Sequence, residues 1–283
     1  VSFSVTLTKN GMPFPTLDQQ YRGNLIVKIR NIGKEVKKNT VGNGINTFAF
    51  QMFPAAVDIV FEGYLNNSSS SYQRETLISN KQIAGGETIE IDLETVSVSG
   101  AIKINGANPP SSTEDRGEVW FINSIKKDRF PFWPLGSSGA VGFSREIIVG
   151  NYQVAFAGPG ISGNNYLWKS TEILGLDDDE SGMSIDIPRY ELSGEITAGG
   201  ETLPDHLFLD RGIVYLKEKN SSEKFVLCDL GFEDAATFDI EVGPGSYELY
   251  YEGNLLDDEW FVLYTYPSTV HTYIFNNNFT VNS

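Results

Sequence analysis

Apolar and polar residues alternate along most of this chain with a period of two. In ATFDIEVGPGSYELYYEG, residues 236–253, Phe238 and Ile240 and then Tyr247, Leu249 and Tyr251 take every second position on either side of Gly-Pro-Gly. That pattern predicts two half-buried strands joined by a turn. GAIKINGA (100–107) and SGEITAGGE (193–201) alternate up to a glycine-containing pair, as a strand does on entering a tight turn. RGEVWFIN (116–123) and RGIVYLKE (211–218) are β-branched and aromatic, which suits buried strands. MSIDIP (183–188) and NFTVNS (278–283) read as closing strands. No segment combines a helical period with caps.

These elements recur in one order. Gly11, Gly106 and Gly200 are each followed four residues later by a proline, Pro15, Pro110 and Pro204. The pairs Arg22-Gly23, Arg116-Gly117 and Arg211-Gly212 come next. Phe48, Phe143 and Phe238 are spaced by 95 residues, and so are Gly63, Gly158 and Gly253. So many anchors at one period define a three-fold tandem repeat. Seven or so short strands in a unit of this length predict an immunoglobulin-like sandwich. The junctions ETIEIDLETVSVSG and MSIDIPRYELSG contain no flexible spacer. The expectation is therefore an all-β chain of three tandem sandwich domains, residues 1–95, 96–189 and 190–283, arranged as a semi-rigid rod.

The pattern G-x-I…G-x-x-x-P…R-G-x-V…F…V-x-P-G-x-Y-x-L-x-x-x-G resembles the carboxypeptidase-regulatory-like, or transthyretin-like (prealbumin-like), β-sandwich repeats of bacterial surface proteins. The third unit matches through Gly194, Gly200, Pro204, Gly212, Phe238, Gly245, Tyr247 and Gly253. The second matches through Gly100, Gly106, Pro110, Gly117, Phe143, Gly150, Tyr152 and Gly158. In the first unit Val5 replaces the opening glycine and FPAAVDI replaces the Pro-Gly-x-Tyr element. The resemblance covers the whole chain and implies a fold used beside enzymes and in surface arrays. It implies no catalytic residues, because its motifs are turn glycines and core aromatics.

Charge narrows the partners. The net charge of −16 argues against a phosphate-binding, nucleic-acid role. Its distribution is uneven: residues 1–95 carry nine Lys/Arg against nine Asp/Glu, 96–189 eight against eleven, and 190–283 four against seventeen. The acidity belongs to the last third. No apolar run approaches the roughly 18 residues of a membrane helix. A chain opening on Val1 reads as a mature secreted bacterial product whose targeting segment has been removed. The single Cys228 allows no internal disulfide, and the alternation in KFVLCDL puts it on one buried face with Val226 and Leu230.

Candidate chemistry is sparse. His206 and His271 are the only histidines, and there is no HExxH, CxxC or G-x-S-x-G spacing. The clusters Asp177, Asp178, Asp179, Glu180 and Asp257, Asp258, Glu259 offer the oxygen ligands that calcium prefers, or else simply form solvated acidic loops. Calcium is the one candidate cofactor. In DRFPFWPLGSSG, Phe130, Phe132 and Trp133 alternate with prolines; with Trp168 they form either a surface for sugars or partners, or the cover of a sandwich edge. Arg22, Arg116 and Arg211 recur before a core strand, which points to pairing with carbonyls inside each unit. Sequons at Asn66, Asn67, Asn220 and Asn278 carry meaning only in a eukaryotic secretory pathway.

Together these features lead us to expect a non-enzymatic extracellular structural or adhesive protein, a surface stalk or fibre subunit polymerising head to tail by strand addition. Its partners would be other copies of itself, other cell-surface components, or glycans, with no nucleic acid and no transmembrane segment. The alternative is a carbohydrate-binding or substrate-binding accessory module that uses exposed aromatics.

Overall fold

A computed structural model describes residues 1–113, 115–158, 168–198, 201–203, 205, 211–219, 224–231, 236–253 and 271–281. Eight strands fall in the first third: β1 (Ser2–Lys9), β2 (Met12–Pro13), β3 (Gly23–Ile29), β4 (Lys34–Val41), β5 (Thr47–Gln51), β6 (Ala56–Tyr64), β7 (Tyr72–Gln82) and β8 (Thr88–Leu93). Seven follow: β9 (Thr95–Ile104), β10 (Glu118–Asn123), β11 (Arg129–Pro134), β12 (Val141–Ile148), β13 (Gly150–Ala157), β14 (Trp168–Leu176) and β15 (Glu180–Ile187). The last seven are β16 (Tyr190–Ala198), β17 (Glu201–Thr202), β18 (Ile213–Glu218), β19 (Lys224–Asp229), β20 (Ala236–Val242), β21 (Gly245–Gly253) and β22 (His271–Val281).

Each third of the chain contributes two sheets. In the first, β1 lies between antiparallel β5 and parallel β8, and the second sheet runs β4-β3-β6-β7. The next pair is β12-β9-β15 and β11-β10-β13-β14; the last is β17-β16-β20 and β19-β18-β21-β22. The architecture is β-sandwich throughout, as the alternation predicts. By contacts the described chain divides into two compact units, Val1–Phe156 with Ser170–Asp186, and Ala157–Lys169 with Ile187–Ser283.

Period-two alternation becomes burial directly. Along β1, Phe3, Val5 and Leu7 face the core while Ser4, Thr6 and Thr8 face outward. Outward hydroxyls pair across strands, Ser4 with Thr88 at 2.9 Å and Thr6 with Thr47 at 3.3 Å. The inward residues of both sheets interleave: Phe3, Val5 and Leu7 belong to one apolar cluster with Leu25, Val57, Ile59 and Phe61. Burying each such side chain contributes on the order of 1.5–3 kcal/mol. In the next sandwich Phe121 stacks on Phe132 with centroids 3.9 Å apart, and Tyr152 lies 5.5 Å from Phe121.

The repeat anchors have physical reasons. Asn10-Gly11 and Asn105-Gly106 have positive φ at both residues, the backbone of a tight hairpin turn. Each glycine N–H is held by a closing-strand aspartate: Gly11 donates to Asp92 at 3.0 Å and Gly106 to Asp186 at 2.9 Å. Gly23 and Gly63 meet across paired strands so closely that a Cβ on Gly23 would lie 2.6 Å from the Gly63 Cα. Tyr152 donates its hydroxyl to the Ile148 carbonyl at 2.7 Å, and Tyr247, 95 residues on, donates to Gly243 at 2.8 Å. Both are tyrosine corners that pin the start of a strand.

Alternation misleads at Cys228. The thiol is buried, but Val226 is 51% exposed. A bulge sets Val214 opposite Cys228 and Tyr215 opposite Val226, so Leu227 is the extra residue that reverses the phase. Burial pushes the Cys228 thiol above its usual pKa, as expected of an inert structural cysteine.

Candidate functional site

The predicted aromatic surface is largely core. Phe130 and Phe132 are 1% and 2% exposed, because β11 turns both inward against Phe121. Trp133 is partly buried, its ring 6.4 Å from that of Phe143. Trp168 is also partly buried and packs on the backbone of Gly243, where an added Cβ would lie 2.5 Å from the Trp168 Cβ. Pairs of inward rings separated by proline therefore build the sandwich interior rather than a platform.

Asp177, Asp178, Asp179 and Glu180 are exposed. Asp179 accepts the Ser97 N–H at 2.7 Å. Among the described residues no three His, Cys, Asp or Glu side chains are grouped to hold a metal ion. Asp257, Asp258 and Glu259 lie outside the described residues, as do His206, Gly200 and Pro204. Arg116 is buried among carbonyls, donating to Gly136 at 2.9 Å and to Pro109, Pro110 and Gly139 at 3.0 Å. Arg211 makes the corresponding hub with Leu230 and Gly231, at 2.9 and 3.2 Å. Arg22 is exposed and donates only Nε, to Leu17 at 3.2 Å. Pro15, near it, is half-buried.

An arrangement the sequence reading missed lies within the first compact unit, where β7 meets β10, β11 and β12. β7 ends its sheet, so one row of its backbone groups is unpaired by any described strand. Side chains from the following sandwich take that row. Asp128 Oδ2 accepts the Thr76 N–H at 2.7 Å, and Arg145 Nη2 donates to the Tyr72 carbonyl at 2.7 Å. Gln73, fully buried, returns the contact by accepting the Ile148 N–H at 3.1 Å. An open strand edge is a liability for mispairing, and here it is closed by a neighbour's polar groups.

Two carboxylates organise this seam. Glu146 binds Lys9 Nζ at 2.6 Å, Asn66 Nδ2 at 2.9 Å and the Thr95 hydroxyl at 2.6 Å. Lys9 Nζ also reaches the Leu65 carbonyl at 2.8 Å, so every charge is shared among several partners. Glu75 is different. Only 1% exposed, it accepts Asn123 Nδ2 at 2.8 Å and Lys126 Nζ at 3.1 Å, both through Oε1. Its Oε2 is buried without a hydrogen bond. Burial drives the Glu75 carboxyl up to about pKa 7, with Lys126 opposing the rise and Asp128 adding to it. Arg145, also buried, lies 5.0 Å from the Phe132 ring centroid and 5.2 Å from that of Phe130; burial pulls its pKa down to about 9, so it remains charged at neutral pH.

The repeat held a signal for one of these residues. Counting from Phe48, Phe143 and Phe238, the position two residues on is Phe50, Arg145 and Ile240. Arg145 thus puts a guanidinium in the apolar phase of β12 where the other units have an apolar side chain. For Glu75 the matching sign is a carboxylate in the same phase as buried Gln73.

The seam can hold two sandwiches together; it presents no nucleophile beside a base. An open groove of about 400 Å³ lined by Ser2, Ser4, Ala49, Gln51, Gly86 and Glu87 is no better equipped, since Glu87 is already engaged by Ala84 and Lys81. Among the described residues no helix is long and apolar enough to cross a membrane.

No protein-family model matches the sequence, and no curated protein matches it. Among solved structures the chain is similar to the tip fimbrial protein Mfa3 from Porphyromonas gingivalis, at 10% identity and TM-score 0.28, over 85% of this chain and 99% of that one. It is similar to the Bacillus anthracis TIE protein at 14% identity and TM-score 0.21 over 98% of its length, and spans 48% of that chain. With the pilus backbone of Streptococcus pneumoniae the values are 10% and 0.18, over 96% of this chain and 57% of that one. Likeness at these scores carries no argument about function, which rests on the geometry above.

Proposed function

We propose that this chain is a non-enzymatic extracellular protein with a structural or adhesive role: a spacer of tandem sandwiches, residues 1–95, 96–189 and 190–283, that holds a contact surface at a distance. The observation that carries this reading is the seam on β7. A protein selected to span distance needs its first two sandwiches fixed. Here backbone edge groups of one are bound by Asp128 and the buried Arg145 of the next, while buried Gln73 binds the backbone of the second in return. An interface between tethered domains that only had to stay soluble would be looser and more exposed.

The reading extends to assembly with other copies or other surface components. β1 is flanked on both sides by β5 and β8, so it completes its own sheet rather than waiting to enter another. Strand addition would use the outer edge of β22, which has β21 on one side and no further strand among the described residues. Calcium at Asp177–Glu180 would stiffen or join such units by neutralising exposed acid charge.

Negative-stain microscopy of the purified chain, with and without millimolar calcium, tests this. Extended particles of constant length, or fibres, are the expected result. Compact particles, or flexible ones with variable spacing between sandwiches, would overturn it. A second reading, glycan binding, keeps only the partly exposed Trp133 and Trp168 in its support; retained binding on a glycan array, lost in Trp133→Ala, would favour it.

A further inference from the structure

Of the two carboxylates that organise the seam, Glu75 is the less satisfied. Its Oε1 has two partners and its buried Oε2 has none. A carboxylate in that position leaves one charged oxygen without a donor, which is expensive away from water. A neutral acid in the same position is tolerated, because only its O–H is left to place. We propose that Glu75 is a proton-operated latch: protonated, it allows the second sandwich to stay docked along the β7 edge, and ionised, it drives that edge open to water. This goes beyond the spacer role, since a spacer needs only a fixed seam.

The groups facing Glu75 give the latch its sensitivity. Asn123 comes from β10, Lys126 and Asp128 from the turn between β10 and β11, and Tyr152 from β13. Arg74 on its own strand turns away to Glu62 at 2.7 Å. Lys126 favours the charged form; Asp128, whose Oδ2 already holds Thr76, disfavours it. Opening releases Glu75 to solvent, where it ionises freely. Closing therefore takes up one proton, and the equilibrium shifts by at most about tenfold per pH unit between the two ionisation midpoints.

The test uses the full chain with one spin label on an outward position of β1 and one on an outward position of β14. Distance distributions are recorded from about pH 4 to about pH 8, which brackets the span from 4.5 to about 7 that linkage assigns to this raised carboxyl. The expected result is one narrow distance at low pH, with a longer, broader population growing from about pH 4.5 and levelling off above about pH 7. Glu75→Gln, which keeps the shape and cannot ionise, should stay narrow throughout. Lys126→Met should move the transition to higher pH and Asp128→Asn to lower pH, opposite shifts that a merely structural role would not produce. A single narrow distance at every pH in the wild type, or unchanged pH dependence in Glu75→Gln, would overturn the proposal. If Glu75→Gln fails to fold, the opposed shifts of the other two variants decide. Rigidity at every pH would leave the spacer reading standing while the latch fell.

Discussion

Asp128 Oδ2 accepts the Thr76 N–H at 2.7 Å, across the boundary between two sandwiches. A carboxylate from one sandwich thus occupies the place where a further strand of the other would have donated a carbonyl. With Arg145 on the Tyr72 carbonyl, four residues earlier on the same edge, it converts an exposed ladder into an interface. The stiffness proposed for this protein comes from that substitution of side chains for strand.

Glu75 makes stability depend on pH in a definite direction. Its carboxyl rises from 4.5 to about 7 in the folded protein, so the folded state binds more protons across that window. Stability is therefore greatest below about 4.5 in this term and falls as pH rises to about 7, by roughly 3 kcal/mol in all. Urea unfolding at a series of pH values should show this slope in the wild type and its loss in Glu75→Gln.

Arg116 should be among the costliest side chains to remove. Arg116→Ala leaves the carbonyls of Pro109, Pro110, Gly136 and Gly139 without their buried donor, a loss of about 3 kcal/mol or more. Arg116→Lys should recover little, since an ammonium cannot reproduce the planar fork. Chemical denaturation monitored by tryptophan fluorescence checks both.

The two corners should act alike. Tyr152→Phe and Tyr247→Phe each remove one buried hydroxyl bond to a carbonyl four residues upstream and should each cost about 1 kcal/mol. Because they lie in different sandwiches, their effects should add in the double variant. Equilibrium unfolding of the three variants measures this.

Gly63→Ala should be far worse than Gly11→Ala. At Gly63 a Cβ would run into the Gly23 backbone, and overpacking between two main chains costs about 1–3 kcal/mol or more. At Gly11 nothing lies within reach and only the positive φ is strained, at a cost of about 1 kcal/mol. Thermal melts of the two variants should rank accordingly.

Glu146→Ala should weaken the seam without touching either core, because Lys9, Asn66 and Thr95 all lose the same carboxylate. A loss of about 3 kcal/mol is expected for one partner removed from a shared, mostly buried ion pair. Faster amide exchange at the β7 edge, with exchange on β1 and β3 unchanged, would show that the loss is local.

The sequence alone determined the strands, the turns and the repeat. Alternation follows from the pleat, which sends successive side chains to opposite faces, so Phe3, Val5 and Leu7 could be read as inward without any knowledge of what they meet. The glycines at 11 and 106 could be read because a left-handed turn favours Asn-Gly locally. Tertiary structure decided what no local rule contains: that the bulge at Leu227 reverses the phase beside Cys228, that Phe130 and Phe132 close a core instead of lining a surface, and that the free edge of β7 is met by Asp128 and Arg145. Those outcomes depend on which edges and faces come together over dozens of residues. A charge in an apolar phase, as at Arg145, marks such a meeting in the sequence but does not name the partner.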